Sequence, residues 1–598
     1  MIDHHARLTA LRAHLAKQNL TGFVVPLTDE FMSEYVGAYA QRLEWLTGFK
    51  GSAGSAVVLR DTAAMFTDGR YTLQVREQVD GDDWQFVQVP ATAMTDWLAA
   101  NTVEGDRIGY DPWLATTGWV VAADAALGAN GAALVAVDAN PIDALWEDRP
   151  APSPAAMSVY PDDLAGRTSA DKRAGIGEWL GERRADAVVL SALDSIAWVF
   201  NVRGEDVART PVALSYAIVR ADGTAELFVA PGKVGEDVAR HLGNAVTVRD
   251  IASFADVLGR FAGKRVAADP DRAVAAIHGA LSAGGATIVA TRDPSVLAKA
   301  IKNPVEIAHH RAAQARDGAA MVRFLKWFEE TAPSGTLTEL SASDRLEAIR
   351  GETGLLRDLS FDTISATGAH AASPHYKATV ESDAPILPGQ LYLIDSGGQY
   401  QDGTTDITRV MPVGPVSDEM HDRFTRVLKG HIAIDTAVFP DGTLGGHIDG
   451  FARRPLWEAG LDYAHGTGHG IGAFLSVHEG PQRIGAPNYP GGGPLEPLRA
   501  GMMLSNEPGY YKAGEYGIRI ENLLLTVERD IPGGDLPMLG FETLTFVPIE
   551  RSLIVPALLT GAERAWVDAY HAKVAALLVP LLDGETAAWV EAKCAPLG

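Results

Sequence analysis

Cysteine is nearly absent from this chain, with one residue, Cys594, in 598. That excludes an internal disulfide framework and any thiolate cage around a metal, and it is compatible with a reducing, cytoplasmic setting. Long apolar runs are missing too: none reaches the roughly 18 to 20 residues that cross a bilayer. Between Met1 and Leu20 the apolar positions Leu8, Leu11 and Leu15 stand among His, Arg and Lys, the spacing of an amphipathic helix rather than of a secretory leader. Positive charge is scarce. The chain carries 51 Lys and Arg against 76 Asp and Glu, a net charge of −25, and no basic run that could neutralise phosphates. Nucleic acid and anionic membranes are thereby excluded as partners, and the acidity reads as solvated surface that says little about a substrate.

What is present is globular: 47% hydrophobic and 21% charged residues, in a chain too long for one core. An opening helix, a strand at Gly22–Pro26 and strands at Ala56–Leu59 and Ala64–Phe66 predict an α/β unit ending near Asp148, after which Pro150, Pro152 and Pro154 mark a linker. A second unit repeats that order with a helix from Ala170 to Arg184 and strands at Ala187–Leu190, Ser215–Val219 and Ala225–Val229, a faint internal duplication. Pro304 then opens a long helical pattern from Glu306 to Thr331. The predicted domains are 1–148, 151–302 and 303–598, the last ending in two helices near Gly561–Leu578 and Glu585–Ala595 whose apolar faces pack on their own domain or on a second subunit.

The third domain holds five potential metal ligands in order: Asp395, Asp406, His469, Glu507 and Glu521. Residues equidistant from a turn face each other on antiparallel strands. Gln390–Asp395 and Thr404–Thr408 flank turn residues and predict Asp395 and Asp406 as cross-strand neighbours. Met502–Glu507 and Ile518–Glu521 flank Gly514 and predict the same for the two glutamates. Facing carboxylates suit a pair of bridged ions roughly 3.5 to 4 Å apart, and repel without a cation. His469 lies in His465-Gly-Thr-Gly-His469-Gly, where the glycines argue against a helix and allow close backbone approach. The oxygen-rich set with one imidazole favours a hard to borderline ion such as Mn(II), with Zn(II), Co(II) or Fe(II) as alternatives.

These segments resemble the dimetal pita-bread aminopeptidases of metallopeptidase family M24, specifically the long, three-domain aminopeptidase P (Xaa-Pro aminopeptidase) type. The resemblance rests on Leu393-Ile-Asp-Ser-Gly397, Thr404-Thr-Asp-Ile-Thr-Arg409, His465-Gly-Thr-Gly-His-Gly470, Asn506-Glu-Pro-Gly-Tyr510 and Ile518-Arg-Ile-Glu-Asn522. Leu46–Gly54, Thr67–Tyr71 and Ala565–His571 extend it over nearly the whole chain. It implies two creatinase-like α/β domains followed by a pita-bread catalytic domain, two divalent metal ions, manganese by family habit, and a cytoplasmic homodimer. The implied activity is hydrolysis of the N-terminal Xaa-Pro bond of peptides through a hydroxide held between the ions.

Read alone, His375, His465 and His478 are hydrogen-bonded structural residues. The resemblance places them in the substrate cleft, His375 and His478 steadying the oxyanion and the leaving nitrogen and His465 holding the prolyl carbonyl, with Glu507 as general base. Arg519, two residues before Glu521 and on its strand face, is expected to orient ligand carboxylates. Trp457 and Tyr510 are candidates for an apolar wall against the proline ring. Competing readings are prolidase, limited to Xaa-Pro dipeptides, and a catalytically silent pita-bread binding module, which the intact ligand set disfavours.

Overall fold

The computed structural model describes residues 3–488 and 493–597 and divides into two compact units, Met1–Val296 and Leu297–Gly598. The first contains two six-stranded sheets with one topology. In one, Gly22–Pro26 pairs antiparallel with Ser55–Leu59, which pairs antiparallel with Ala63–Thr67, while Gln85–Gln88, Arg107–Tyr110 and Ala133–Ala136 join in parallel. In the other, Ala187–Leu190, Ser215–Arg220 and Ala225–Val229 form the antiparallel centre, and Val246–Asp250, Arg265–Ala268 and Thr287–Ala290 are parallel additions. Both follow the order 4-3-2-1-5-6, counting each sheet's own strands along the chain. Identity of element order at this level is what the sequence pattern shows only faintly.

The second unit begins at Leu297. The reason is local: Lys299 and Lys302 are buried, and their ammonium groups meet Glu479 at 2.9 and 2.5 Å, so the segment before the long helix is tied to the sheet it precedes. That helix, Pro304–Thr331, is capped by Asn303 and Glu306 in a reciprocal box with Pro304 in the first turn. Its apolar face, with Met321, Phe324, Leu325 and Phe328, packs on the strands Gln390–Ser396 and Ile407–Val413.

Among the described residues this unit also holds three small sheets and one six-stranded sheet. Ile364–Thr367, Gln390–Ser396 and Ile407–Val413 form one three-stranded ladder. The six-stranded sheet includes Gly468–Gly470, Glu479–Ile484, Met503–Asn506 and Asn522–Arg529. The helices Gly561–Leu578 and Gly584–Lys593 bury Val567, Tyr570, Val574, Leu578 and Val590 in the same core. Tyr570 accepts from Arg409 at 2.9 Å and the Ile549 amide donates to His571 Nε2 at 3.1 Å, so their apolar faces serve this unit. Among the described residues no helix is long and apolar enough to cross a membrane.

Candidate metal centre

Asp395 is the next-to-last residue of Gln390–Ser396, and Asp406 immediately precedes Ile407–Val413. The strands pair antiparallel, but Asp395 faces Thr408 and not Asp406. The register continues outward with Gln399 facing Thr404 and Tyr400 facing Gly403, so the turn centres on Gln401 and Asp402. Gly403 sits inside the ladder instead of at the tip. The two aspartates are therefore diagonal neighbours, with a backbone separation of roughly 7 to 8 Å, and the directly opposed pair expected from the sequence is corrected. Gly397 makes the crossing possible: a Cβ there would run into the backbone oxygen of Thr405.

The glutamates behave differently. Asn506 faces Asn522 on one side and Gly509 faces Arg519 on the other, so one register runs through the hairpin and sets Glu507 opposite Glu521. At that point the two strands part. The Glu507 amide donates to the Thr467 carbonyl at 2.8 Å and the Glu521 amide to the Thr408 carbonyl at 3.3 Å. One arm is thus stitched to the segment leading to His469 and the other to the strand beside Asp406. His469 lies between Gly468 and Gly470, where a Cβ would meet the backbone oxygens of Ser505 and Glu479, and its amide donates to Ser505 Oγ at 3.0 Å.

The chemistry of the group follows. Asp406, His469 and Glu521 each present a ligand atom, all within 4.8 Å of one another. His469 Nε2 stands 3.5 Å from both Asp406 Oδ2 and Glu507 Oε1. Its Nδ1 is 3.0 Å from the Gly470 carbonyl, which can only accept, so Nδ1 carries a hydrogen and Nε2 is the ring atom turned to the two carboxylates. A backbone carbonyl on the far nitrogen is the usual support of a ligating imidazole. Burial, then Asp395 and Glu507, push the Asp406 carboxyl well above the usual carboxylate range. Burial, then Asp406 and Asp395, do the same to Glu521, and burial raises Glu507 against the opposing pull of Arg519. Asp395 Oδ1 is buried with no hydrogen-bond partner. Four carboxylates in so dry a space fit divalent cations between them.

Around this group Arg519 donates to Asp395 Oδ2 at 2.6 Å, to Thr408 Oγ1 at 3.1 Å and to the Tyr511 hydroxyl at 2.6 Å. Thr408 Oγ1 donates to Glu521 Oε2 at 2.7 Å, and Ser505 Oγ to Glu507 Oε1 at 3.2 Å. Thr408, Ser505 and Tyr511 are absent from the sequence-based set. The first two were findable, since each lies two positions from a ligand and so on its strand face.

The predicted histidines divide. The His478 ring lies 4.3 Å from that of His469, nearly perpendicular. His375 is half-buried, beyond the short turn Gly368–Ala372. His465 is hydrogen-bonded at both nitrogens, Nδ1 to the Gly466 carbonyl and Nε2 to the Tyr511 hydroxyl, each at 2.8 Å. It is thereby set against Tyr511, whose hydroxyl Arg519 also contacts. Tyr510 belongs to the core, 8% exposed beside Tyr516, because strand alternation turns its neighbour Tyr511 to the site. Trp457 closes the helix Gly445–Trp457 and is 52% exposed, a surface position rather than a pocket wall.

Comparison with known proteins agrees with this arrangement. Residues 308–528 match the profile of metallopeptidase family M24 and 537–597 that of the C-terminal region of peptidase M24. Residues 7–145 and 148–306 each match a creatinase/prolidase N-terminal domain. A probable Xaa-Pro aminopeptidase P of Laccaria bicolor is 42% identical over 99% of this chain and 93% of its own length. One of Aspergillus niger is 41% identical over 96% and 95%. The X-prolyl aminopeptidase of Caenorhabditis elegans, described as a cytosolic enzyme with a di-nuclear active site, superposes with a TM-score of 0.95 at 33% identity over all of both chains. Two creatinase-like domains, a pita-bread catalytic domain and full-length relatives at this identity give one conclusion: the chain belongs to metallopeptidase family M24.

Proposed function

We propose that this chain is a dimetal aminopeptidase that hydrolyses the bond between an N-terminal residue and a following proline. The observation that carries the reading is the convergence of Asp395, Asp406, His469, Glu507 and Glu521 on one buried space, in a chain whose full-length relatives are named for that activity. These five residues would hold two divalent ions, manganese by the oxygen-rich donor set. When bound, such ions lower the pKa of water toward 7 and polarise the scissile carbonyl.

The chain's own groups divide the remaining work. Glu507, held at Oε1 by Ser505, accepts the proton of the attacking water. His478 and His375 stabilise the charge that develops on the carbonyl oxygen and steer the departing prolyl nitrogen. Arg519 fixes one oxygen of Asp395 and so aims the other into the ion space. His465 holds Tyr511, which Arg519 also contacts, keeping that side of the cleft rigid. A prolyl amide has no N–H, so ring shape rather than a donor selects the substrate. The same reading has the protein as a cytoplasmic homodimer divided functionally at 1–148, 151–302 and 303–598.

The test is turnover of Xaa-Pro-Yaa peptides against Xaa-Pro dipeptides, each with and without a chelator. Chelator-sensitive tripeptide cleavage is expected. Dipeptide-only cleavage would make the protein a prolidase, and no cleavage after manganese loading would favour a silent binding module.

A further inference from the structure

Glu339 is the first residue of the helix Glu339–Gly351 and is fully buried. Its carboxylate receives four donors from one segment. The Thr367 amide donates to Oε1 at 2.8 Å, His370 Nδ1 lies 3.0 Å from each oxygen, the Tyr376 hydroxyl donates to Oε2 at 2.9 Å, and the Ala384 amide reaches Oε2 at 3.3 Å. The helix N-terminus adds a favourable field for the charge. Capping its own helix does not call for these partners, because Thr338 already serves as the cap.

All four donors lie on the stretch from Thr367 to Ala384, at its entry, at its exit and immediately beside His375. The His370 ring stacks on Tyr376 at 4.5 Å, closing a bracket around the histidine between them. The stretch emerges from the strand Ile364–Thr367, in which Ile364 faces Asp395. Its turn presses Ala371 against Gly517, two residues before Arg519. The segment is thereby referenced to the candidate metal centre on its entry side, and Glu339 joins that entry, through Thr367 and His370, to Tyr376 in its middle and to Ala384 at its exit.

We propose that Glu339 is a positioning residue for His375: its buried carboxylate clamps the Thr367–Ala384 segment so that this histidine meets the substrate in register with the metal centre. The inference rests on the substrate-handling role proposed above for His375. A displaced group of this kind costs turnover on the order of 10²-fold for about 1 Å of misplacement.

The test is a double-substitution cycle in the full-length, manganese-loaded protein with an Xaa-Pro-Yaa peptide, following kcat, KM, bound metal and melting. Glu339→Gln is expected to lower kcat by roughly ten- to a hundredfold, with metal content unchanged. In the His375→Ala background the same change is expected to alter kcat by less than about twofold, the failure of additivity that marks two coupled residues. If Glu339→Gln does not fold, Glu339→Asp keeps the charge, shortens the reach and must show the same non-additivity. Losses that multiply while His375→Ala is itself impaired would overturn the clamp and leave the role of His375 standing, as would loss of metal in the Glu339 variant. Wild-type turnover in His375→Ala would remove the role of His375 and the clamp with it.

Discussion

Arg519 and Asp395 share a hydrogen bond of 2.6 Å from the guanidinium to Oδ2, and the other oxygen of that carboxylate is buried without a partner. The arginine spends its remaining nitrogens on Thr408 and Tyr511. One planar side chain therefore sets the direction of the Asp395 carboxylate, of the threonine that holds Glu521, and of the tyrosine that holds His465. A lysine has the charge and not the fork. Arg519→Lys is expected to cut kcat/KM by about 10- to 100-fold, the usual cost of losing an outer contact to a metal ligand. Steady-state kinetics with parallel metal analysis checks it, and an unchanged rate would mean the fork is dispensable.

Ion binding should be visible in the stability of the fold as well as in turnover. Because the ligands come from segments far apart in sequence, an ion that binds the folded state raises the melting temperature by mass action, about 2.7 kcal/mol at a hundred times Kd. Chelation is expected to lower the melting point and restoring manganese to recover it. Asp406→Asn is expected to abolish the manganese-induced shift, measured by differential scanning calorimetry. A full shift in that variant would place the ions elsewhere.

His310 offers a pH prediction away from the centre. It is fully buried on the long helix, both ring nitrogens are without a hydrogen bond, and burial, with Lys302 and His309 nearby, pulls its pKa down to about 3. The unfolded chain, near the ordinary 6.5, then binds the proton more readily than the folded one. Stability is present at neutral pH and drains away as the pH falls below 6.5 toward 3. His431, also pulled down to about 3 by burial, and His571, to about 4, act in the same direction. His310→Leu is expected to leave the melting temperature at pH 7 the same or higher and to flatten its fall between pH 7 and 5. A steeper fall would contradict the neutral, unpartnered state.

Gly517 tests the seating of the turn Gly368–Ala372. A Cβ there would enter the backbone of Ala371, whereas one on Gly514 meets nothing within 4 Å although φ is +77°. Gly517→Ala is expected to destabilise by about 1–3 kcal/mol or more and to lower turnover by displacing the Arg519 strand. Gly514→Ala is expected to cost no more than about 1 kcal/mol of backbone strain and to leave kcat alone. Chemical denaturation of both variants checks the contrast.

How far the sequence reached can be followed in the two hairpins. Glu507 and Glu521 were readable because Gly514 marks the true centre and the ladders on either side keep a single register. Asp395 and Asp406 were misread by a diagonal step, since opposing them puts the centre between Tyr400 and Gln401 while the register centres the turn between Gln401 and Asp402. Local turn chemistry cannot tell these apart when a glycine is required inside the ladder for contact with the helix above it, as at Gly403 against His310 and Ala313. Tyr510 and Tyr511 show the same limit on a smaller scale, because alternation says that adjacent tyrosines face opposite ways and not which of them faces the site. The antiparallel strands at the centre of each sheet in the first unit were legible from apolar runs and breakers, while the parallel strands Gln85–Gln88, Arg107–Tyr110, Ala133–Ala136, Val246–Asp250, Arg265–Ala268 and Thr287–Ala290 were not. Nor was the sheets' shared 4-3-2-1-5-6 order, because pairing partners leave no mark in composition.

The parting of the hairpin at Glu507 and Glu521 has a temporal meaning. Thr408 and Glu521, joined through side chain and backbone, are 113 positions apart, so the five-residue set is complete on a nascent chain only once the second arm of that hairpin has emerged and docked. A site holding all five groups accordingly reports that the stretch from Gln390 through Glu521 has assembled.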